Sequence, residues 1–320
     1  MESNHFLDFE KPIAELEGKI KELRHLTESG EVNISDEVSR LEAKCDSVLH
    51  QIYGKLTPWQ RMQVARHPDR PHFSDYTAAL IEDFTALHGD RAYGDDNALV
   101  GGLGRFRGTP VMAIGHEKGS GTAGRVEHNF GMAHPEGYRK AVRLMELADR
   151  FDMPVLSFVD TPGAHPGIGA EERGQAEAIA RSIECSLRIE VPFVACVVGE
   201  GGSGGAIALA AGDTVLMMEH AIYSVITPEG CASILWRDAA RARDAADALK
   251  LTAQDLLELK VIDRIVEEPL GGAHRDAELA IATLGDAIAE ALKESLPVDG
   301  KSLRARRREK FLEMGRVGVQ

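Results

Sequence analysis

The sequence predicts an α/β fold: a mainly parallel sheet whose strands alternate with helices, preceded by a helical hairpin. The first observation is a repeated unit, in which a helix leads through a proline into an apolar strand, a glycine turn and a second helix. Its two copies enter their strands at Pro154 and Pro192. Strands joined through helices are parallel neighbours, so both glycine turns should lie at one edge of the sheet. The second observation is that the first 55 residues carry apolar side chains at steps of three and four, the period of an amphipathic helix.

Length and composition bound the class of protein. A chain of 320 residues accommodates one large α/β domain with appendages or two smaller domains. Hydrophobic residues make up 43% of the chain and aromatic residues only 5%, so aliphatic side chains and alanine must build the core. The net charge of −14 argues against nucleic-acid binding, which needs a basic surface. No run approaches the ~18 apolar residues of a membrane span, and Met1 to Glu10 lack the apolar centre of a signal peptide. We therefore expect a cytoplasmic protein without membrane contact.

The cysteines indicate a reduced protein without a metal site of its own. They lack the C-x-x-C spacing of a zinc ligand set. Cys196 falls inside an apolar strand, where an ordinary buried thiol is expected. The four cysteines are Cys45, Cys185, Cys196 and Cys231.

Residues 1–55 are expected to form two amphipathic helices. Ser29 and Gly30 interrupt the pattern between them, and Asn33 or Ser35 can cap the second helix. Neither helix has enough heptads for a free coiled coil, so the apolar stripe should pack either on the body of its own chain or on a partner subunit. The stripe consists of Ile13, Leu16, Ile20, Leu23 and Leu26, then Ile34, Val38, Leu41, Cys45, Val48 and Ile52.

Residues 56–295 are the predicted main domain, and residues 296–320 a basic tail. Residues 56–96 have a mixed pattern interrupted by prolines. A β-hairpin follows, Val100 to Arg107 and Val111 to His116, and then a polar loop from Lys118 to Asn129 that is either mobile or functional. In the tail, the basic run 304–308 is expected to be a solvated helix face. Further strands are predicted at 153–160, 213–218, 221–226 and 261–267. Further helices are predicted at 135–152, 170–189, 206–211, 228–236, 239–249, 252–259 and 275–293.

The most informative segment runs from Val191 to Ala206, where an apolar strand enters a turn with five glycines in seven residues. Glycine leaves the backbone uncovered, so its N–H groups can approach a ligand. The helix that follows adds unsatisfied N–H donors and the positive end of its dipole. The turn is therefore a candidate site for negative charge.

Two motifs in this turn suggest known kinds of site. The first is the G-x-G-x-x-G dinucleotide fingerprint that starts at Gly199, with Glu219 at the distance of a ribose ligand. It lies deep in the chain and leads into a short helix, which is unusual for that fingerprint. The second is a G-x-S-x-G nucleophile elbow at Ser203, for which Asp263 and His274 follow in the required order. Glycines on both sides hold that serine poorly.

The third interpretation is an oxyanion hole made of backbone amides, without a nucleophile. It needs only free N–H groups at a helix start opposite a second glycine turn, and the sequence supplies both. A purely structural glycine contact between helix and strand would need one glycine rather than five. The residues therefore favour the oxyanion hole, with the other two interpretations open.

Eight segments in order give the chain a family resemblance that reaches nearly from end to end. The chain is similar to the α subunit of bacterial acetyl-CoA carboxylase carboxyltransferase, in the crotonase/ClpP-like superfamily. Each motif alone is unspecific, whereas the whole series is specific. The segments are FLDFEKPI (6–13), NFGM (129–132), PEGYRKA (135–141), DTPGA (160–164), GAEERGQ (169–175), GEGGSGG (199–205), YSVITPEGCASILW (223–236) and EPLGGAHR (268–275).

The resemblance implies a crotonase-like spiral of ββα units and an α2β2 enzyme. Its β subunit binds the acyl-CoA and carries the zinc, in keeping with the cysteines here. The family reaction moves a carboxyl group from N-carboxybiotin, held on the biotin carboxyl carrier protein and made by biotin carboxylase, to acetyl-CoA. The product is malonyl-CoA, in the first committed step of fatty-acid synthesis. The α subunit supplies the biotin side.

For that reaction, the groups of this chain that we expect to act are backbone amides. We hypothesise that the N–H groups of Gly204 and Gly205 hold the ureido oxygen of biotin, where negative charge develops, and that no metal takes part.

Two features depart from the family pattern: His165 stands where a tyrosine is expected, and the loop from Gly119 to His128 is less basic. Two rival functions remain, a serine hydrolase that uses the serine of the turn and a non-catalytic scaffold. The other residues expected on the biotin side are Gly163, Ala164, Gly201 and Gly202. The remaining candidates for phosphate contact are Lys118 and Arg125.

Overall fold

The computed structural model describes residues 5–28 and 35–316, and these residues contain one mixed sheet of eight strands. The strands are β1 (Ile81–Ala86), β2 (Leu99–Phe106), β3 (Thr109–His116), β4 (Val155–Thr161), β5 (Phe193–Gly202), β6 (Thr214–Met218), β7 (Ile222–Ser224) and β8 (Arg264–Val266). Their order across the sheet is β1-β2-β3-β4-β5-β6-β8, and β7 pairs with the end of β5. The β1-β2 and β2-β3 pairs are antiparallel, and every other pair is parallel. The predicted hairpin and the predicted parallel pairing of the two repeated strands are confirmed.

Helices cover the sheet and lead into its strands. The helices are α1 (Lys11–Glu28), α2 (Ser35–Tyr53), α3 (Pro58–Ala65), α4 (Phe73–Leu80), α5 (Gly121–Glu127), α6 (Pro135–Arg150), α7 (Ile168–Glu172), α8 (Gln175–Arg188), α9 (Ser203–Ala210), α10 (Pro228–Trp236), α11 (Ala242–Ala248), α12 (Ala253–Glu258), α13 (Ala277–Ser295) and α14 (Gly300–Glu313). Short 3-10 helices occur at Asp8–Glu10, Asn129–Gly131 and Ala239–Arg241. Among the described helices, none combines the length and apolar character needed to span a bilayer.

The centre of the core lies at β4 and β5. All seven residues of β4 and all ten of β5 are buried. Strands buried on both faces need continuous apolar runs, which explains the Val-rich segments that lead into both glycine turns. Helix α9 packs against both strands and against α8, so its first turn is fixed by the core.

The N-terminal helices α1 and α2 pack against each other and against their own chain. Their buried cluster includes Ile13 and Leu49 and extends to Val64 of α3. The Tyr53 hydroxyl donates a 2.8 Å hydrogen bond to the buried carboxylate of Glu10. Part of the apolar stripe therefore packs on the body of its own chain. The predicted break at residues 29–30 and the alternative cap at residue 33 lie outside the described residues.

The basic run of the tail lies on helix α14, and its most buried side chain contradicts the expected solvated face. The side chain of Arg307 is fully buried, whereas Arg306 and Arg308 are exposed as expected. The guanidinium group forms a bidentate pair with Asp213, at 2.8 Å from Nε and 2.7 Å from Nη2. It also donates to the carbonyl oxygens of Ser186, Ile189 and Val191. The charge pattern did not reveal this because the partner is remote in sequence.

Two other expectations were wrong in detail, and one strand was not predicted. The polar loop from Lys118 to Asn129 contains helix α5 and a 3-10 turn. The predicted helix 170–189 is interrupted by Gly174, whose φ of +82° is left-handed, and therefore forms α7 and α8. Strand β1 was missed, because a bulge around Asp83 (φ +55°) interrupts its alternation.

Buried histidines give a testable pH dependence of stability. Burial lowers the pKa of His116 to about 4 from its ordinary 6.5, and burial likewise lowers the pKa of His220. The unfolded chain therefore binds these protons at a higher pH than the folded chain does, so stability is complete above pH 6.5 and is lost as the pH falls towards 4. His134 opposes this trend, because its hydrogen bond to Asp96 raises its pKa. We expect the free energy of unfolding in urea to fall between pH 7 and pH 5, with a shallower fall in His116→Asn. Equal slopes for the two proteins would contradict this.

Candidate active site

The two glycine turns meet where β4 and β5 end. Thr161 is paired with Gly201 in the parallel register of these strands. A Cβ on Gly202 would lie 2.2 Å from the carbonyl oxygen of Pro162, closer than any real side chain permits. The β5 turn can therefore pack on the β4 turn only through a glycine at this position. The predicted convergence of the two turns is present.

Gly205 marks the closest approach of helix α9 to the β4 turn. A Cβ at this buried position would lie 2.9 Å from the amide nitrogen of Ala164, the carbonyl carbon of Gly163 and the hydroxyl of Tyr138. Gly163 has a φ of +149°, and its own N–H donates to the Thr161 hydroxyl at 3.0 Å. The Gly163 amide thus shapes the turn from inside, whereas the Ala164 amide lies next to the start of the helix.

Helix α9 begins with uncovered amides. It starts at Ser203, three residues before the predicted start at Ala206, and its N-cap Gly202 provides no side-chain cap. The first N–H groups of a helix have no intrahelical acceptor, and those of Gly204 and Gly205 have no backbone acceptor elsewhere among the described residues. The helix dipole adds partial positive charge at the same point. The structure thereby brings the predicted donors together at one helix start.

Ser203 has the backbone of a nucleophile elbow without the catalytic partners of one. Its φ of +53° is left-handed, a strained conformation for serine. No described side chain forms a hydrogen bond with its hydroxyl. The two partners proposed from the sequence are used elsewhere: Asp263 accepts from Val215 N–H at 2.6 Å, and His274 stacks on His67. The serine triad is not assembled.

The ribose ligand expected of a dinucleotide site is also engaged elsewhere. The Glu219 carboxylate accepts a 3.3 Å hydrogen bond from the amide of Glu268. The Glu219 carbonyl accepts from Arg61 at 3.1 Å. Glu219 therefore joins the loop after β6 to α3 and the loop after β8, which leaves the fingerprint without its acidic partner.

Ion pairs hold the two turns in place. Asp160 Oδ1 accepts from the amide of Glu200 at 2.8 Å and lies 2.6 Å from Lys118 Nζ. A Cβ on Gly199 would lie 2.4 Å from the same carboxylate oxygen, so this glycine makes room for Asp160. Arg66 in turn contacts Glu200 at 2.6 Å. Lys118 is therefore committed to an ion pair rather than free for a phosphate.

A cavity of about 180 Å³ adjoins Pro162 and these ion pairs. Arg125 of α5 lines it and, among the described residues, has no ion-pair partner. Of the two phosphate candidates, the structure thus leaves Arg125 available. The other polar lining residues are Arg66, His67, His72, Lys118, Asp160 and Glu200.

His165 anchors the β4 turn. Its backbone N–H donates to the Ala133 carbonyl at 3.0 Å, and its Nδ1 lies 3.0 Å from the Asn129 side-chain amide. The ring centroid lies 4.3 Å from that of His134. Burial, followed by the neighbouring His134, lowers the pKa of His165. Both effects favour the neutral form of this ring beside the β4 turn.

The sequence did not reveal the roles of Tyr138 and of Asp160, whose carboxylate binds the Glu200 amide and Lys118. Tyr138 is fully buried against Gly205, and its hydroxyl has no hydrogen-bond partner among the described residues. Both residues stand inside segments that carry the family resemblance, but nothing in their spacing indicates that they support the turns.

The architecture is shared with solved structures. The core of the transcarboxylase 12S hexamer, with methylmalonyl-coenzyme A and methylmalonic acid bound, aligns with a TM-score of 0.59 at 19% identity, over 71% of this chain and 42% of that one. A Pseudomonas malonate decarboxylase heterotetramer in complex with coenzyme A aligns with a TM-score of 0.59 at 15% identity, over 78% of this chain and 98% of that one. The fold is that of the crotonase-like carboxyltransferases.

Relatives that are similar in sequence identify the family within this fold. A family model described as "Acetyl co-enzyme A carboxylase carboxyltransferase-like" matches residues 6–315. The chain is 66% identical over 315 residues to the acetyl-coenzyme A carboxylase carboxyl transferase subunit alpha of Paramagnetospirillum magneticum, covering 98% of this chain and 99% of the relative. It is 65% identical to the protein of the same name from Rhodospirillum centenum, with the same coverage. The chain belongs to the acetyl-CoA carboxylase carboxyltransferase family of enzymes, which confirms the resemblance seen in its motifs.

Proposed function

We propose that this chain provides the biotin side of an active site that transfers a carboxyl group from N-carboxybiotin to acetyl-CoA and so yields malonyl-CoA. Family membership supports the reaction. One observation carries the site: the first turn of α9 lies so close to the β4 turn that a Cβ at Gly205 would be 2.9 Å from the Ala164 amide nitrogen. This close approach supports a site in which amides from both backbone segments bind one ligand atom.

The donor set suits a ureido group. Carboxybiotin supplies an activated carboxyl group, and negative charge develops on its ureido oxygen as that group leaves. The amides of Gly204 and Gly205 bind this oxygen, with the Ala164 amide on the opposite wall. They are neutral donors held in place before reaction, and losing one such donor costs about 3 to 4 kcal/mol of transition-state stabilisation. Gly201 and Gly202 support the site through packing, because a Cβ on either would meet Tyr223 at 3.0 Å or Pro162 O at 2.2 Å.

The proposed enzyme needs partner proteins. The relatives are named subunit alpha, so we infer an α2β2 assembly with a β subunit that binds the acyl-CoA. A carrier protein would bring biotin, which biotin carboxylase would load. Three apolar side chains around α10, those of Val225, Ile234 and Leu235, are 66–71% exposed. Such a patch is suited to coverage by the β subunit.

Reconstitution tests this function. The chain is mixed with a β subunit, malonyl-CoA and biocytin, and the reverse transfer of the carboxyl group to biocytin is followed. We expect transfer only when both subunits are present. A complex that forms, as judged by gel filtration, but transfers nothing would favour the non-catalytic scaffold.

Ser203→Ala separates the backbone site from a serine hydrolase, the second candidate favoured by the φ of +53°. Because the amides remain, we expect turnover to fall by much less than the ~10²-fold loss of one oxyanion donor. A hydrolase would lose about 10⁶-fold. Ser203→Gly is the matched control, since it also lacks the hydroxyl and accepts the left-handed backbone without strain. Loss of reverse transfer in both variants would contradict a backbone-only site.

A further inference from the structure

A second cavity, of about 150 Å³, is lined by histidines and carboxylates and by none of the glycine-turn residues. Its wall combines the N-terminal segment with two loops of the main domain. The lining residues are His5, Phe6, Glu10, His67, Asp69, His274 and Arg275.

Glu10 is a buried carboxylate without a closely bound cation. It is 1% exposed, and its oxygens accept 2.8 Å hydrogen bonds from the Tyr53 hydroxyl and the Leu7 amide. The nearest guanidinium group is that of Arg275, whose Nη1 lies 3.9 Å from Glu10 Oε1. Its Nη2 donates a hydrogen bond to Glu17 instead. A buried carboxylate needs a compensating charge, and the Arg275 guanidinium supplies one only at the outer limit of an ion pair, so a cation bound directly to Glu10 would compensate it better.

His274 is a buried imidazole without a hydrogen bond. Its side chain is 5% exposed, and neither ring nitrogen has a hydrogen-bond partner among the described residues. Nε2 lies 4.0 Å from Glu10 Oε1, and the ring stacks on His67 with centroids 3.8 Å apart. A neutral imidazole nitrogen and a carboxylate oxygen are two of the four ligands that a tetrahedral zinc site uses, and here they lie side by side and buried.

We propose that Glu10, His67 and His274 bind one divalent first-row transition-metal ion of the zinc class. One ligand atom from each residue lies within 4.8 Å of the others. Because zinc–ligand bonds are about 2.0 to 2.2 Å long, each ligand atom must move by roughly 1 Å. The stacked rings of His67 and His274 must also tilt apart, so that both nitrogen lone pairs point at the ion. Two imidazoles with one carboxylate select zinc-class ions over Mg²⁺ and Ca²⁺, which prefer oxygen ligands. Water in the cavity takes the remaining coordination position.

Loading the ion changes the hydrogen bonds of His67. Its Nε2 lies 2.5 Å from the His5 carbonyl oxygen, and its Nδ1 lies 3.2 Å from the Asp69 amide. For Nε2 to bind the ion, the ring proton moves from Nε2 to Nδ1, and both contacts are exchanged for the metal bond. The ring stays neutral in this exchange. The Tyr53 and Leu7 hydrogen bonds to Glu10 can persist, and such outer partners orient a ligating carboxylate.

The three ligands come from separate parts of the chain. Glu10 precedes α1, His67 follows α3, and His274 lies in the loop before α13. A bound ion therefore ties the N-terminal helices to the main domain and stabilises the folded chain. This site would replace the expectation, drawn from the cysteine spacing, that the chain has no metal site of its own.

Cobalt titration of the purified full chain tests the site. The chain is stripped with a chelator and titrated with Co²⁺, while calorimetry gives the stoichiometry and visible absorption reports nitrogen-containing coordination. We expect one equivalent of Co²⁺ to bind, Zn²⁺ to displace it, and either ion to raise the thermal unfolding midpoint.

Two ligand variants and one control decide the outcome. We expect His274→Gln and Glu10→Gln each to weaken Co²⁺ binding by about 100-fold or more, since loss of an outer partner alone costs roughly 10- to 100-fold. Glu10→Gln keeps the size of the side chain and serves if His274→Gln does not fold. His88→Gln removes the surface histidine that faces Asp95 at 2.8 Å and should leave binding unchanged. Absence of binding, or affinity that follows His88 rather than Glu10 and His274, would overturn the proposal.

Discussion

Gly205→Ala should lower kcat for carboxyl transfer by about 10²- to 10³-fold, the loss associated with one oxyanion donor. The added methyl group would lie 2.9 Å from Ala164 N and from the Gly163 carbonyl carbon, so the first turn of α9 must move away from the β4 turn. Gly205→Pro deletes the N–H itself and should abolish transfer. Reverse transfer in the reconstituted complex measures kcat, and gel filtration shows whether assembly is retained.

Gly204→Ala is the matched comparison. Its methyl group would meet Ile179 at 3.5 to 3.6 Å, which is ordinary van der Waals contact, and its N–H remains in place. We expect its loss of kcat to be far smaller than that of Gly205→Ala. Similar losses in both variants would mean that any side chain in this turn is harmful, whatever happens to the amides.

Arg307→Met should destabilise the protein by about 3 to 5 kcal/mol, the cost of breaking a buried ion pair by removing one partner. The Asp213 carboxylate, which is 11% exposed, would lose both bonds to the guanidinium group, and three backbone carbonyls would lose their donor. The remaining hydrogen bond to that carboxylate comes from the Phe193 amide. Urea unfolding followed by circular dichroism measures the change.

Arg306→Met provides the control, because Arg306 is exposed on the same helix. It should change stability by less than about 0.5 kcal/mol. An Arg307→Met variant as stable as this control would show that α14 does not depend on the buried pair.

The parts of the fold that follow from periodicity were predictable. The prolines at Pro154 and Pro192 precede continuous apolar runs, and such runs between helices give parallel, fully buried neighbours. The convergence of the two glycine turns follows from that pairing alone. The N-terminal stripe likewise predicted α1 and α2, because amphipathic spacing is a local property of the chain.

The parts that depend on remote partners were not predictable. Arg307 is buried because it pairs with Asp213, which immediately precedes β6. A run of basic residues does not show which of them has such a partner. Tyr138 supports Gly205 through packing that its own segment does not encode. The left-handed Ser203 escaped prediction because a glycine-rich turn permits many backbone paths, and the core selects one of them.

The central claim is that backbone amides of this chain hold the ureido oxygen of biotin. A crystal structure of the reconstituted complex with biotin bound tests it most directly. The account predicts that the ureido oxygen lies about 2.7 to 3.1 Å from the amide nitrogens of Gly204 and Gly205, the range of an oxyanion-hole hydrogen bond. A ureido oxygen bound instead by the Ser203 hydroxyl, or by any side chain away from the start of α9, would contradict it.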